Sequence, residues 1–392
     1  MKLVVVGFGQ CGGRIADEFA RLNKKAKSQR GIEIITGCYA VNADAADLSG
    51  LTSIRKDYQH RILIGSRKTG GHGVGKINEL GAEIAREDGD KVIDAIRTTK
   101  RFFETDAFLF IASAAGGTGS GSISVMTQHI KERYVDKPIY NLIVLPFEHE
   151  ETTEDRTLYK TATCLKSSYS VADAVFLVDN QRFVRKDSSI KGNIAKINAM
   201  IAEPFYNMLC VGEEKKPKYI ASKVLDAGDI IQTLVGWTVI GYGKSDIPLI
   251  RFRRESRRDF RAKGDETLKG IQAMDEAISE LSLKCNPVDS KRCLYLISAP
   301  GKEMNMDMVK ALGDYMRDIA PEALIRNGDY PRERGVLDVT VILSELSDVE
   351  KVRNYYTQST QLIPEFKKRQ EETEVKLRAI EDASKDIPTL LS

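Results

Sequence analysis

Short apolar runs and stretches with helical character alternate along the first half of the chain. This alternation predicts a mostly parallel β-sheet with helices on both faces. The predicted strands are Leu3–Val6, Ile34–Val41, Arg61–Ile64, Ala107–Ala112, Ile139–Leu145 and Ala174–Val178. The predicted helices are Cys11–Leu22, Lys76–Thr98, Ser120–Val135 and Glu154–Tyr169, with Gly89 as a candidate break in the second. Ligands of such sheets bind at the carboxyl ends of the strands.

A long, largely apolar helix is predicted at Asn193–Cys210, with Pro204 as a candidate kink. After this helix the pattern changes and predicts a second, smaller α/β domain. Its predicted strands are Trp237–Tyr242, Pro248–Phe252, Cys293–Ser298, Ala323–Ile325 and Val336–Leu343, and its helices are Asp265–Leu283 and Asn305–Asp318. The tail is rich in Glu, Lys and Arg, and charge pairs four residues apart favour an exposed helix at Phe366–Ala383.

These elements define the predicted domain organisation. Residues 1–190 form an α/β ligand-binding domain, 191–216 the central helix and its connection, 217–350 the second α/β domain, and 351–392 a charged helical tail. The predicted fold class is α/β, with a Rossmann-like first domain whose sheet is mostly parallel.

Composition excludes several classes of protein. The chain has 392 residues, a net charge of +3 and no apolar run near the ~20 residues that span a bilayer. We therefore expect neither an integral membrane protein nor a nucleic-acid partner, and the N-terminal apolar run is too short for a signal peptide. The six cysteines lack C-x-x-C pairs and the four histidines lack ligand spacing, which favours free thiols in a cytoplasmic protein and argues against a zinc site.

Three glycine-rich loops carry the strongest functional signal, and each precedes a predicted helix. They are Gly7–Arg14, Thr69–Gly75 and Ala115–Gly121. Glycines let the backbone approach a ligand closely, and a helix N-terminus offers free N–H groups and a positive dipole end to a phosphate. Three such loops in one sheet favour a triphosphate held by backbone amides.

The spacing of the first loop alone also fits a dinucleotide-dependent oxidoreductase. That reading requires an acid about 20 residues further on, at the carboxyl end of the second strand, to hold the ribose. Glu33 has roughly the right spacing but lies at the start of that strand, and the carboxyl end carries Asn42. A dinucleotide fold also has no need of the loop Gly116–Gly121.

The segment Gly116–Gly121 resembles the signature loop of the tubulin/FtsZ superfamily of GTPases, and Gln10-Cys11-Gly12 resembles the tubulin form of the first loop. The resemblance extends over almost the whole chain and is greatest to the archaeal CetZ-type branch. It implies GTP and GDP as ligands with Mg²⁺. The implied nucleotide contacts are Gly9, Gln10, Cys11, Gly12, Gly13, Arg14, Asn42, Asp44, Gly70, Gly71, Gly73, Gly75, Ala115, Gly116, Gly117, Thr118, Gly119, Ser120, Gly121, Glu150, Asn180 and Asn198.

Within this set the resemblance assigns individual roles. Glu150 of Pro146–Glu150 would contact the ribose, and Asn180 and Asn198 would pair with the guanine edge, for which amides have suitable donors and acceptors. Gln10 and Asp44 are the candidate magnesium ligands, since Mg²⁺ prefers oxygen donors. Arg156 lies two residues beyond the position of an FtsZ arginine, and its role is open.

Asp226 and Asp229 resemble the paired acids of the family loop that completes the GTPase site of the next subunit in a filament. A carboxylate there can orient the attacking water. Val224 stands where FtsZ has an asparagine, which argues against a plain FtsZ. The alternative is a local structural role, with Asp229 capping a helix at Ile230–Val235.

Two further segments remain ambiguous. The charge run Arg251–Arg261 is typical of a nucleic-acid patch, but the near-neutral net charge favours a solvated loop or a subunit contact. The C-terminal segment Asp386–Ser392 resembles the peptide with which FtsZ proteins bind membrane adaptors, and otherwise is a loose tail.

The resemblance therefore implies a GTP-hydrolysing cytoskeletal protein that polymerises head to tail into protofilaments and controls cell shape. It would be cytoplasmic, with filaments at the inner membrane surface if the tail binds an adaptor. The alternatives are an FtsZ-type division GTPase, which normally carries a long disordered linker that this chain lacks, and a GTP-binding scaffold with little hydrolysis.

Overall fold

The structure, a computed structural model, describes residues 1–184, 190–214, 224–247, 260–301, 304–332, 335–362 and 364. The predicted strand Pro248–Phe252, most of the charge run Arg251–Arg261, the predicted helix Phe366–Ala383 and the C-terminal peptide Asp386–Ser392 lie outside these residues. Among the described helices, none combines the length and apolar character needed to cross a bilayer.

The core of the protein is a ten-stranded sheet with the order β3-β2-β1-β4-β5-β6-β7-β10-β8-β9. The strands are β1 Leu3–Phe8, β2 Ile35–Asn42, β3 Arg61–Leu63, β4 Ala107–Ser113, β5 Ile139–Leu145, β6 Ala174–Asp179, β7 Gly236–Asp246, β8 Arg292–Ala299, β9 Leu324–Pro331 and β10 Val336–Ser344. The first six pair in parallel, as the alternating pattern predicted.

Helices cover both faces of the sheet. They are α1 Gly9–Arg30, α2 Ala45–Ser49, α3 Ser66–Thr69, α4 Asn78–Arg97, α5 Thr118–Arg133, α6 Glu148–Thr153, α7 Asp155–Val171, α8 Ile190–Leu209, α9 Ala227–Thr233, α10 Phe260–Ser279, α11 Met306–Ile319 and α12 at residues 350–362. Each predicted helix within the described residues is present with shifted ends, and α4 runs unbroken through Gly89. A Cβ at Gly89 would lie 3.1 Å from His129 Nδ1, so this glycine makes room for α5 rather than ending a helix.

The two faces of the sheet form two separate cores because side chains alternate along each strand. On β1, Val4 and Val6 face the core beneath α4 and α5, whereas Leu3 and Val5 face α1 and α8. Strands buried on both faces read as continuous apolar runs, which is why the strands of the first half are visible in the sequence.

The second half of the chain continues the same sheet. Strand β7 pairs in parallel with β6, and its other edge pairs antiparallel with β10. The sequence pattern predicts a second, smaller α/β domain here. Within the described residues the other predicted strands of this half are present, and the hydrogen bonds between β6 and β7 place both halves in one sheet.

Helix α8 links the two ends of the molecule. It has 20 residues, continues through Pro204 and is therefore about 30 Å long. Its C-terminal residue Leu209 accepts a hydrogen bond of 3.1 Å from the amino group of Met1, at the amino end of β1. The N-terminal half of α8 consequently lies toward the carboxyl ends of the strands.

The reactivity of the six cysteine thiols tests this packing. Burial raises the pKa of Cys11, Cys164 and Cys285 to about 12 and that of Cys293 to about 11, and it also raises the pKa of Cys38 and Cys210. A raised pKa keeps each thiol protonated at pH 8, and only the thiolate is the nucleophile. We expect an aromatic disulfide reagent at pH 8 to titrate all six thiols of the unfolded chain at least about tenfold faster than those of the native protein. Rapid reaction of a native thiol would contradict the packing around it.

Candidate functional site

A cavity of about 450 Å³ opens at the carboxyl ends of the parallel strands. The predicted site residues that line it are Gly9, Gln10, Cys11, Arg14, Asn42, Asp44, Gly73, Gly75, Ala115, Gly116, Gly117, Thr118, Gly119, Glu150, Asn180 and Asn198. The fold thus brings all three glycine loops and the polar residues after β2, β5 and β6 to one place.

Two helix N-termini point into this cavity. Helix α1 begins at Gly9 and α5 at Thr118, and within the described residues no side chain caps either of them. Their first N–H groups are therefore available to an anion, which the positive ends of both helix dipoles also attract. Gly9 has φ = 70°, and a Cβ there would lie 3.0 Å from the backbone nitrogen of Gly119, so the two loops are in close contact.

The third loop is held against the cavity by its backbone. Gly73 donates a hydrogen bond of 3.0 Å to the carbonyl of Ala43. Gly73, Gly75 and Lys76 have left-handed φ angles of 78°, 58° and 60°. The ammonium of the buried Lys160 donates to the Lys76 carbonyl at 3.3 Å. Burial lowers the pKa of Lys160, and this carbonyl is a compensating acceptor.

Oxygen donors cluster at one side of the cavity. Gln10 Nε2 donates to Asp47 Oδ1 at 2.6 Å, and Asn42 Nδ2 donates to Asp47 Oδ2 at 3.0 Å. Asp44 caps α2 through hydrogen bonds to the backbone nitrogens of Ala46 and Asp47. The carboxylates of Asp44 and Asp47 beside the glycine-rich loops would repel a phosphate, and oxygen donors of this kind are the ligands that Mg²⁺ prefers.

The opposite side of the cavity combines apolar surface with amides. Phe147, Ile194 and Ile197 line it together with Asn180 and Asn198. This combination suits a planar base, since the apolar groups cover its faces and the amides can pair with its edge. Next to it, the Glu150 carboxylate accepts a hydrogen bond of 3.0 Å from the backbone nitrogen of Phe147.

Six predicted contacts do not line the cavity: Gly12, Gly13, Gly70, Gly71, Ser120 and Gly121. A Cβ at Gly12 would lie 2.0 Å from the carbonyl oxygen of Ile111, and one at Gly121 would lie 2.1 Å from that of Asn78. These two glycines therefore allow α1 to approach β4 and α5 to approach α4. Their structural role is helix packing behind the loops.

Several lining residues were absent from the sequence prediction. They are Phe8, Asp47, His72, Val74, Lys76, Ser113, Phe147, Thr157, Ile194 and Ile197. Ile194 lies one helical turn before Asn198, so helical spacing could have identified it. Phe147 lies within the segment Pro146–Glu150 that carries the family resemblance, so its position in that motif could have identified it. Arg156, whose role was open, forms an ion pair with Glu79 at 3.1 Å.

Asp226 and Asp229 lie far from the cavity of their own chain. They begin α9, beyond the C-terminal end of α8, whereas Asn198 lies on the cavity side of the same helix. The helix cap is Asp226, whose Oδ1 accepts from the Asp229 backbone nitrogen at 2.7 Å, so the expectation that Asp229 is the cap was wrong. The Asp229 carboxylate instead pairs with Arg326 Nε at 3.2 Å.

The comparisons with known proteins agree with this architecture. The tubulin/FtsZ family GTPase domain matches residues 2–186, and the C-terminal domain of tubulin-like CetZ matches residues 187–361. The curated tubulin-like protein CetZ1 of Haloferax volcanii is 31% identical over 373 residues, covering 90% of each chain.

Solved structures of relatives have the same fold. The GDP-bound monomer of CetZ1 from Haloferax volcanii superposes with a TM-score of 0.79 at 28% identity, over 92% of this chain and 99% of that one. The GTPγS-bound protofilament of CetZ2 from the same organism gives 0.80 at 26% identity, over 94% of this chain and 100% of that one. The glycine loops, the ten-stranded sheet and these matches together show that the chain belongs to the CetZ family of tubulin-like proteins within the tubulin/FtsZ family.

Proposed function

We propose that this protein binds GTP, assembles head to tail into protofilaments and hydrolyses GTP only where two subunits meet, and that the filaments control cell shape. The observation that carries the proposal is the separation of the two halves of the site. The cavity lies at the carboxyl ends of the parallel strands, and Asp226 and Asp229 lie beyond the far end of α8. Because α8 is about 30 Å long, a chain cannot place these acids at its own phosphate loops.

Guanine nucleotides fit the cavity by charge and shape. The N-termini of α1 and α5 would bind the phosphates, the acidic side would hold Mg²⁺ through Asp44 and Gln10, and the apolar side would hold the base. Magnesium would neutralise charge between the carboxylates and the phosphates, while Asn180 and Asn198 would read the edge of guanine. The bound nucleotides of the CetZ1 and CetZ2 structures support this assignment.

Head-to-tail assembly is supported by the surface at the amino ends of the strands. Tyr58, Phe103 and Val135 are 83%, 81% and 83% exposed, and each lies just before the start of a parallel strand. Val224, also exposed, is adjacent to the acid segment. Exposed apolar groups at the pole opposite the cavity suit contact with the cavity pole of a second copy, and such a heterologous contact produces open filaments.

A GTP-binding scaffold with little hydrolysis is the second candidate. One observation favours it: the Asp229 carboxylate is paired with Arg326 and not free to act as a base. The FtsZ-type division role stays an alternative for the cellular process, and adaptor binding by Asp386–Ser392 stays a prediction.

Sedimentation and phosphate release test the proposal together. With GTP and Mg²⁺ we expect the protein to pellet, and specific GTPase activity to rise with protein concentration. Replacing GTP by ATP, or chelating magnesium, is expected to abolish both pelleting and phosphate release. Pelleting with unchanged GTP would favour the scaffold, activity independent of concentration would exclude a shared site, and failure to bind GTP would contradict the proposal as a whole.

A further inference from the structure

Helix α12 packs against the nucleotide end of the first half of the chain. Its residues Val352 and Tyr355 are buried in the same core as α5 and α7. Lys351 Nζ lies 2.9 Å from Asp179 Oδ2 and 3.8 Å from Glu151 Oε1, and the Tyr355 hydroxyl donates a hydrogen bond to the Glu151 carboxylate. A helix at the end of the second half thus contacts two acids that the predicted site did not include.

These acids lie directly behind two residues of the cavity. Asp179 is the last residue of β6, and its Oδ1 accepts from the Gln181 backbone nitrogen at 3.1 Å, which holds the turn Asn180–Phe183. Its own backbone nitrogen donates to the Ser282 carbonyl at 2.7 Å. Glu151 follows Glu150 in α6. The two segments also meet directly, because the Glu148 backbone nitrogen contacts the Gln181 side-chain oxygen at 3.5 Å.

The positive charge of Lys351 offsets the repulsion between the Asp179 and Glu151 carboxylates. The Asp179 side chain is only 11% exposed, and a second carboxylate, Glu151, lies within 4 Å of the same ammonium. Two poorly solvated carboxylates repel each other unless a cation stands between them. The Tyr355 hydroxyl supports the arrangement as a donor, since burial and the Glu151 carboxylate raise its pKa.

We propose that Lys351 is a positioning residue for guanine selection, which holds the turn bearing Asn180 and the helix bearing Glu150 in their binding positions through Asp179 and Glu151. The proposal rests on the proposed binding of GTP at this cavity. Without the ammonium, the poorly solvated Asp179 carboxylate is expected to turn toward solvent, which would release the Gln181 backbone nitrogen and move Asn180.

The test compares Lys351→Met with Lys351→Arg and with Arg353→Met. Arg353 lies on the same helix as Lys351, but its side chain pairs with the exposed Asp348, which precedes the helix. Fluorescent GTP and ITP analogues differ by the guanine 2-amino group, which Asn180 and Asn198 are expected to read. We expect Lys351→Met to weaken GTP binding about tenfold and ITP binding much less. Arg restores most of the selectivity because it keeps the charge, and Arg353→Met leaves both affinities unchanged.

Thermal unfolding of each variant without nucleotide shows whether weaker binding merely reflects a less stable fold. Equal losses for GTP and ITP in Lys351→Met, or no loss, would overturn the inference. If Lys351→Met does not fold, Tyr355→Phe provides the test, because it removes only a hydroxyl. We expect Tyr355→Phe to weaken GTP binding about threefold and ITP binding less. Unchanged selectivity between GTP and ITP would overturn the inference. Failure of the wild type to bind GTP would instead contradict the proposed function.

Discussion

Replacing Asp229 by asparagine is expected to lower the turnover of GTP by at least about 100-fold while GTP affinity stays unchanged. General acid–base groups contribute about 10²–10⁴-fold, and the substitution removes the charge that would orient the attacking water. Affinity should persist because Asp229 lies at the far end of α8 from the cavity of its own chain. Phosphate release measured across a range of protein concentrations, together with equilibrium binding of a fluorescent GTP analogue, gives both quantities.

Asp307→Asn is the matched control for charge and helix position. Asp307 is an exposed acid in the first turn of α11, as Asp229 is in the first turn of α9. Its removal should leave turnover within about twofold of the wild type, since surface substitutions away from a site have small effects. Full activity of Asp229→Asn would contradict the catalytic assignment and favour a purely structural pairing with Arg326.

Mixing two inactive variants tests whether the site is shared. A Cβ at Gly116 meets no atom of the described part of the chain within 4 Å, although the residue lines the cavity. Gly116→Val should therefore fold normally while filling the space for the phosphates. In co-sedimenting mixtures, Asp229→Asn subunits supply the nucleotide and Gly116→Val subunits supply the acid, so activity should reappear. Mixed filaments without activity would count against a site formed by two subunits.

Replacing Gly121 by alanine is expected to destabilise the protein by about 2–3 kcal/mol, as overpacking a rigid contact does. The added Cβ would lie 2.1 Å from the Asn78 carbonyl oxygen and 2.6 Å from the Ala82 nitrogen, both of which belong to the backbone of α4. Backbone atoms cannot move aside as a flexible side chain can, so the two helices must separate. A lower midpoint of chemical unfolding in urea would show the effect.

Gly264→Ala is the control for this substitution. Gly264 also lies within a helix, but among the residues that the structure describes a Cβ there meets nothing within 4 Å. Alanine should therefore stabilise the protein by up to about 1 kcal/mol through helix propensity alone. Equal stability of the Gly121 and Gly264 variants would show that α4 and α5 are not in the close contact described.

The strands of the first half, the glycine loops and the family resemblance could be predicted from the amino-acid sequence alone. The run Ala107–Ala112 is visible because a strand buried on both faces needs apolar side chains at every position. The loop Ala115–Gly121 was recognisable as part of a site because it follows a strand and the ends of parallel strands meet at one edge. Asn42 was assigned to the site by the family resemblance. These features depend on local order along the chain, which the sequence contains.

Contacts between segments that are distant in sequence became visible only in the folded protein. The tertiary structure assigned Gly121 to helix packing, because the α4 backbone that excludes a side chain there is remote in sequence. It placed Asp229 at the opposite pole from the cavity, since that distance is set by the length and direction of α8. The tertiary structure also brings Lys351 to Asp179. Local periodicity does not specify this ion pair, because the pair forms only when the second half of the chain extends the sheet of the first half and α12 folds back onto that sheet.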